Sequence, residues 1–154
     1  MSAELDAREF VSAMGLLQGA VRNAAHQTLV SGVKAAHMSA KTTDLFKDGP
    51  DAKLRGTIVM GIPEPFAGFV KAGDATVKYA RFVESGTPPH DIRPKNGEAL
   101  RFTVNGETLY RRVVHHPGTA ARPFMHRAAV VGQQTLDYGL EVFLAPVIAN
   151  FNSG

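Results

Sequence analysis

The sequence predicts an α+β fold in a single domain, residues 1–154. A small, mostly antiparallel sheet is expected to pack against a long N-terminal helix and a kinked C-terminal helix. Both ends of the chain show apolar residues at three- and four-residue spacing, which is typical of amphipathic helices. The region between them has short β-branched and aromatic segments separated by glycine and proline. At its centre, Asn105-Gly106 joins two alternating segments, and this dipeptide favours the two-residue turn of a β-hairpin.

The first helix is predicted over residues 6–41. Its apolar stripe includes Phe10, Met14, Leu17 and Val21. Asp6 and Glu9 have the spacing of a capping box at its start. Three glycines lie inside it: Gly15, Gly19 and Gly32. Because glycine costs about 1 kcal/mol relative to alanine in a helix, these residues either weaken the helix or let another backbone come close, in the core or in a neighbouring subunit.

The sheet is predicted within residues 54–116. The polar segment before it, residues 42–53, contains Asp-Gly-Pro and is expected to be a loop. Residues 56–62 and 67–70 have the composition of strands. The prolines between these strands cannot donate to a ladder, so Pro63-Glu64-Pro65 is expected to form the turn of a hairpin.

A short helix is expected near residues 76–85. Ser85-Gly86 has the form of a helix C-terminus followed by glycine. Thr87-Pro88-Pro89 then ends any regular element, because the residue before a proline is driven out of the helical region. Residues 90–94 are expected to be extended.

The central hairpin is predicted at about residues 99–115, with arms at 99–104 and 107–115. A two-residue loop fixes its register. The predicted pairs are Val104 with Glu107, Phe102 with Leu109, and Leu100 with Arg111. One face then carries Leu100, Phe102, Val104, Leu109 and Val113, and the other carries Arg101, Thr103, Tyr110 and Arg112. The first face is expected to meet the core.

The second face of the hairpin is the predicted contact surface, because arginine and tyrosine are enriched where proteins meet. The candidate residues for subunit contact are Arg101, Tyr110, Arg111, Arg112 and Arg122.

After a loop at residues 116–122, Pro123 fits the first turn of a last helix, predicted over 123–151. Gly139 and Pro146 are expected to bend or split that helix.

The charge distribution and the amino-acid composition favour some classes of protein and exclude others. Residues 1–92 hold ten Lys/Arg and ten Asp/Glu, residues 93–127 hold seven against two, and residues 128–154 hold none against two. The excess of positive charge therefore lies in the central stretch, where it suits a polyanion or an acidic partner.

There are no cysteines, which excludes disulfides and thiolate metal sites. No apolar run reaches the roughly 20 residues of a membrane span, and the acidic start is unlike a secretory signal, so synthesis in the cytosol is expected.

The sequence contains no recognisable catalytic or metal-binding motif. His115 and His116 are adjacent on a predicted strand, so their rings should point to opposite faces rather than converge on one metal ion. His90 and His126 have no metal-binding spacing. No nucleophile elbow, phosphate-binding loop or dinucleotide fingerprint is present. We therefore expect no enzyme, no cofactor and no metal site.

An ordered set of short motifs runs through the middle of the chain. It comprises Tyr79-Ala80, Val83-Glu84-Ser85-Gly86-Thr87, Pro94-Lys95, Ala99-Leu100-Arg101-Phe102, His116-Pro117-Gly118-Thr119 and Pro123-Phe124, preceded by Leu54-Arg55-Gly56-Thr57-Ile58. In order and spacing these motifs resemble the tail-completion or head-to-tail joining (neck) proteins of long-tailed bacteriophages. The resemblance covers roughly residues 53–130, and the two flanking helices agree only in kind.

This resemblance implies a structural protein of the virion that forms a ring, usually sixfold, at the neck or at the head-proximal end of the tail. Its partners would be further copies of itself, the connector or stopper, and tail proteins, with DNA passing through the lumen. The arginine candidates above would then lie at a subunit interface or face that lumen. A tail terminator, which caps the tail tube, is an alternative within the virion. Outside it, the alternatives are a small basic nucleic-acid-binding module and a metal hydrolase.

Overall fold

The computed structural model of the chain describes residues 7–43 and 51–152. It confirms the predicted α+β class. The described residues form two compact units. One consists of the residues up to Val77 together with those from Phe124 onward, and the other is Lys78–Pro123. The single domain of 154 residues stays a prediction, and each unit is described by itself below.

The first unit is built on two long helices, α1 (Ala7–Thr42) and α4 (Phe124–Asn152). Both predicted helices are confirmed to within a residue or two. The predicted capping residue Asp6 and the side chain of Glu9 lie outside the described part of the chain. The α4 helix runs without a break through Gly139 and Pro146, so of the predicted bend or split the split does not occur, and the bend stays a prediction. No helix in the described ranges is long and apolar enough to cross a membrane.

Small residues allow α1 and α4 to pack closely as an antiparallel pair. A β-carbon on Gly32 would lie 2.6 Å from Leu136 Cγ and 3.1 Å from the carbonyl oxygen of Gly132. On Gly132, a β-carbon would lie 2.9 Å from that of Ala36. Of the two roles predicted for the helix glycines, Gly32 therefore has the second, because it lets another backbone come close. Gly15 and Gly19 have no such neighbour within 4 Å.

A short helix, α2 (Asp51–Gly56), replaces the end of the predicted loop and the start of the predicted first strand. Leu54 in this helix and Ile58 just after it are both fully buried, so the helix and the residues that follow it contribute to the core. Thr57 ends the turn by donating its amide and its hydroxyl to the carbonyl of Leu54, at 3.0 and 2.7 Å. The earlier part of the predicted loop, residues 44–50, lies outside the described residues.

The predicted first hairpin is confirmed as β1 (Val59–Glu64) paired with β2 (Ala67–Lys71). Its turn lies one or two residues later than expected, at positions 65–66. The pairing register shifts between Gly61 and Glu64. That irregularity accommodates Pro63, which has no amide to donate, inside the strand rather than in the turn.

Asp74 organises the turn that follows β2. Its Oδ1 accepts the Thr76 hydroxyl at 2.7 Å and the amides of Thr76 and Val77 at 2.8 Å each. This turn occupies the start of the predicted 76–85 helix, which is why the helix, α3, is confined to Ala80–Ser85.

The same hydrogen bonds, with the Thr76 hydroxyl as the largest contribution, hold the pKa of Asp74 below its ordinary value. Because the folded pKa lies below the unfolded one, the carboxylate stabilises the fold above about pH 4 and loses this effect as the pH falls through the folded pKa. We expect Asp74→Asn to be less stable than wild type at pH 6, with the difference shrinking below pH 4 in urea denaturation. A difference that does not change with pH would contradict this role.

The second unit contains α3 and two short ladders. β3 (His90–Ile92) pairs with β6 (Val114–His116), and β4 (Leu100–Val104) pairs with β5 (Glu107–Arg111), all antiparallel. The central hairpin has the predicted register: Leu100 opposite Arg111, Phe102 opposite Leu109, and Val104 opposite Glu107. Asn105 and Gly106 have φ of 51° and 86°, as the predicted turn requires.

The second arm of that hairpin differs from the prediction. It ends at Arg111 instead of continuing to His115, because residues 114–116 pair with β3 and the chain bends at residue 112. The expected sheet is therefore divided into three two-stranded ladders among the described residues. Val104, predicted to meet the core, is exposed.

Candidate functional site: the glycine–threonine junction

Two motif segments that are 32 residues apart in sequence meet in the second unit. The amide of Thr87 donates to the carbonyl of Thr119, and the amide of Thr119 donates to that of Thr87, both at 3.0 Å. The two threonine hydroxyls lie 3.0 Å apart and share a hydrogen bond. We call this contact, formed by Gly86-Thr87 and Gly118-Thr119, the glycine–threonine junction.

Each glycine of the junction is fixed by the opposite segment. Gly86 has a φ of 71° and Gly118 a φ of 87°, values that residues with a side chain rarely adopt. A β-carbon on Gly86 would lie 2.4 Å from the carbonyl oxygen of Thr119, and one on Gly118 would lie 2.3 Å from that of Thr87. The two backbones cross at Gly86 and Gly118. At both positions the opposite backbone leaves no room for a β-carbon, which is a steric reason for glycine.

A groove of about 590 Å³ opens beside the junction. Its lining is mostly apolar and comes from α3, the junction and the β3–β6 ladder. The lining residues are Tyr79, Phe82, Val83, Thr87, Pro88, His90, His116, Thr119, Ala120 and Arg122. Val83 is buried and its carbonyl accepts the amide of Arg122 at 2.8 Å, which ties α3 to the segment after the junction.

The histidines of the β3–β6 ladder divide between its two faces. His90 and His116 are cross-strand partners whose rings stack with centroids 5.0 Å apart, on the groove side. His115 lies opposite Asp91, and its Nδ1 is 2.5 Å from the carboxylate. The predicted separation of His115 and His116 is confirmed, because successive strand residues alternate in direction. His116 Nδ1 also accepts the amide of Gly118 at 3.0 Å, which supports the junction.

The predicted contact residues do not form a single surface. Arg101 and Tyr110 are cross-strand partners and both are exposed, so they share one face of the β4–β5 hairpin. Arg111 is opposite Leu100, on the other face, and donates to the carbonyl of Tyr110. Arg112 lies in the bend beyond the strand, which corrects its predicted place on the outward face. Arg122 lines the groove.

The remaining motif positions have separate places. Tyr79 lines the groove, Glu84 is in α3, and Phe102 is a half-buried residue of β4. Pro94 follows β3, and Pro117 lies between His116 and Gly118. Pro123 directly precedes α4, whose first residue, Phe124, is 1% exposed. The motif therefore mixes positions at the junction and groove with others that serve the fold.

Sequence reasoning missed four residues of the groove: Phe82, Pro88, His90 and Ala120. Phe82 is an exposed aromatic residue on a six-residue helix, with the guanidinium of Arg81 4.5 Å from its ring centroid. The repeated Gly-Thr pair was the available signal, since glycine permits a positive φ and the close approach of another backbone. Nothing local to either pair indicates that they meet each other.

The groove offers hydrogen-bonding and stacking groups on a mostly apolar lining. Its polar groups are two imidazoles, a guanidinium, a phenol and threonine hydroxyls, and its lining contains no carboxylate. Asp91, which follows the lining residue His90, pairs with His115 on the other face of the ladder. Within residues 7–43 and 51–152, no group of three or more His, Asp or Glu side chains is placed to hold a metal ion.

Positive charge is concentrated in the unit that carries the junction. Lys78–Pro123 contains eight Lys/Arg and four Asp/Glu, whereas the rest of the chain contains nine and ten. The junction unit is therefore basic by four charges, and the sequence outside it is acidic by one.

Comparison of the chain with protein-family models, with curated proteins and with solved structures returned no match.

Proposed function

We propose that this protein is a ring-forming structural subunit of a long-tailed phage virion, at the head-to-tail interface or the head-proximal end of the tail. It completes the tail and joins it to the connector, with neighbouring connector or stopper and tail proteins as partners. The ring is expected to be sixfold, as in the neck proteins that its motifs resemble. The role is structural, not enzymatic.

The glycine–threonine junction carries this proposal. The motif positions Gly86, Thr87, Gly118 and Thr119 form one contact, and each glycine is required there for a steric reason. A resemblance made of scattered short motifs gains weight when those motifs build a single structural feature. The contact between the two Gly-Thr pairs is therefore the observation that supports the proposal.

Exposed apolar surface also supports an assembling protein. A closed ring is a heterologous assembly, in which each subunit presents two different, complementary surfaces. Large exposed apolar residues occur on both long helices, among them Phe10, Val11 and Met14 on α1 and Tyr138, Val142 and Ile148 on α4. Where such residues adjoin one another, they mark a contact site.

The basic junction unit suits a ring through which DNA passes. A net excess of four positive charges, carried by exposed side chains such as Arg101 and Arg112, can hold a polyanion without reading its sequence. The same charge is the observation that favours the alternative of a small nucleic-acid-binding module. The two functions predict different behaviour without DNA: a ring subunit assembles, whereas a nucleic-acid-binding module stays monomeric.

Purified wild-type protein is expected to form closed rings without DNA, seen by negative-stain electron microscopy. If it also contacts duplex DNA, Arg101→Ala/Arg112→Ala should reduce the slope of log affinity against log salt by about 2 and leave the rings intact. Lys53→Ala/Arg55→Ala, which removes two exposed charges from the other unit, is the matched control. A chain that stays monomeric yet binds duplex DNA through Arg101 and Arg112 would favour the nucleic-acid-binding module instead.

A neck protein and a tail terminator differ in their neighbours. We expect cross-linking of assembled particles to join this chain to the connector or stopper on one side and to the tail on the other. Contact with the tail tube alone, on purified tails that lack heads, would instead identify a terminator.

A further inference from the structure

The apolar stripe of α1 extends beyond the part that is covered within the chain. Farther along the helix, Ala24, Thr28 and Gly32 are buried on the side that faces α4. Toward the N-terminus the same stripe continues through Val21, Leu17, Met14 and Phe10 at the four- and three-residue spacing of a helix–helix contact. There, Met14 is 44% and Phe10 59% exposed. This part of the stripe therefore lacks the covering that its continuation has.

A groove of about 770 Å³ follows this uncovered stripe. It is lined by α1 and by Phe66, an exposed residue in the turn between β1 and β2. The α1 lining residues are Val11, Met14, Gly15, Leu17, Gln18, Val21, Arg22 and Ala25. Gly15 has no atom near its missing side chain, so a partner could come close there. Arg22 is the charged residue of the lining.

One side of α4 also carries exposed apolar residues at helical spacing, like the uncovered stripe of α1. Val131, Tyr138 and Val142 are separated by seven and four residues, so they lie on one side of the helix. All three are exposed, whereas Gly132 and Gly139, which face α1, are buried. From residue 128 to 154 the chain has two acidic residues, Asp137 and Glu141, and no Lys or Arg. This stripe therefore lies on an acidic segment.

We propose that the exposed α4 stripe of one copy of this chain docks in the α1 groove of the next. Both surfaces have the apolar spacing of packed helices, and their charges are complementary, with Arg22 in the groove and Glu141 beside the stripe. The two surfaces differ, so the contact is head-to-tail and leaves one groove and one stripe open at the ends of any dimer. This inference rests on the proposed ring function and names the surfaces that would close the ring.

The test places a charge in each surface. Met14→Glu in the groove and Val142→Glu in the stripe should each weaken self-association at least about 100-fold, because either change buries an unpaired carboxylate. Leu16→Glu and Leu140→Glu are matched controls. Leu16 lies two residues from Met14, and Leu140 lies two residues from Val142, in each case on another side of the same helix. Leu140 and Val142 are also similarly exposed, at 42% and 41%. Analytical ultracentrifugation measures association, and circular dichroism confirms that all four variants fold.

A mixture of the two disruptive variants gives the sharper result. Met14→Glu keeps an intact stripe and Val142→Glu keeps an intact groove, so an equimolar mixture should form one-to-one heterodimers and nothing larger. No heterodimer in the mixture would overturn the head-to-tail contact. If wild type forms rings and both variants form them equally well, the inference fails while the ring function stands. If wild type is monomeric at every concentration, the proposed function fails as well.

Discussion

Phe124→Ala is expected to lower the free energy of unfolding by about 3–5 kcal/mol, which is typical of removing a buried phenylalanine side chain. Phe124 is the first residue of α4 and is 1% exposed. Along with Leu54 and Ile58, it is among the largest fully buried side chains of the first unit. Removing its ring leaves a cavity that a neighbouring helix backbone cannot readily fill. Urea denaturation followed by circular dichroism measures the loss.

Phe143→Ala is the control for this prediction. Phe143 lies on the same helix but is 40% exposed, so its truncation removes less apolar contact and should cost less than half as much. Equal losses for the two variants would contradict the placement of Phe124 in the core. They would also leave open a functional role for this motif position, which the structure otherwise assigns to folding.

Gly118→Ala is expected to cost roughly 2–3 kcal/mol, because it combines an unfavourable positive φ with a steric clash. The new methyl group would lie 2.3 Å from the carbonyl oxygen of Thr87, which belongs to the crossing backbone and is not a flexible side chain. The junction should open in response. Hydrogen exchange at the amides of Thr87 and Thr119, which bond to each other's carbonyls, should therefore accelerate more than exchange in α1.

Gly106→Ala isolates the conformational part of that cost. Gly106 also has a positive φ, 86°, but no atom lies within 4 Å of the position that its β-carbon would take. We expect this variant to lose about 1 kcal/mol and to leave exchange at Thr87 and Thr119 unchanged. If Gly106→Ala and Gly118→Ala were equally destabilised, the backbone crossing would not be the reason for glycine at position 118.

Elements set by local chemistry could be predicted from the sequence. Asn105-Gly106 specified both the turn and the register of the central hairpin, because few residues tolerate positive φ at two successive positions. The two long helices followed from apolar spacing sustained over many turns. Gly32 was recognised as a site of close approach or of weakness, and contact with α4 decides in favour of the first.

Elements that depend on tertiary contact could not be predicted. The α2 helix is six residues long, too short for spacing alone to distinguish it from a loop, and its residue Leu54 is buried in the core. The predicted long strand ends at Arg111 because β3, a distant segment, pairs with residues 114–116. The glycine–threonine junction has the same origin, since each Gly-Thr pair is unremarkable until the other is placed against it.

Native mass spectrometry of the purified chain, over a range of protein concentrations, tests the central claim most directly. A ring subunit with two complementary surfaces should show one closed stoichiometry, expected to be six, that dominates over all intermediate sizes. A chain that remains monomeric at every concentration, or that forms a continuous series of sizes without a preferred one, would contradict the proposed function.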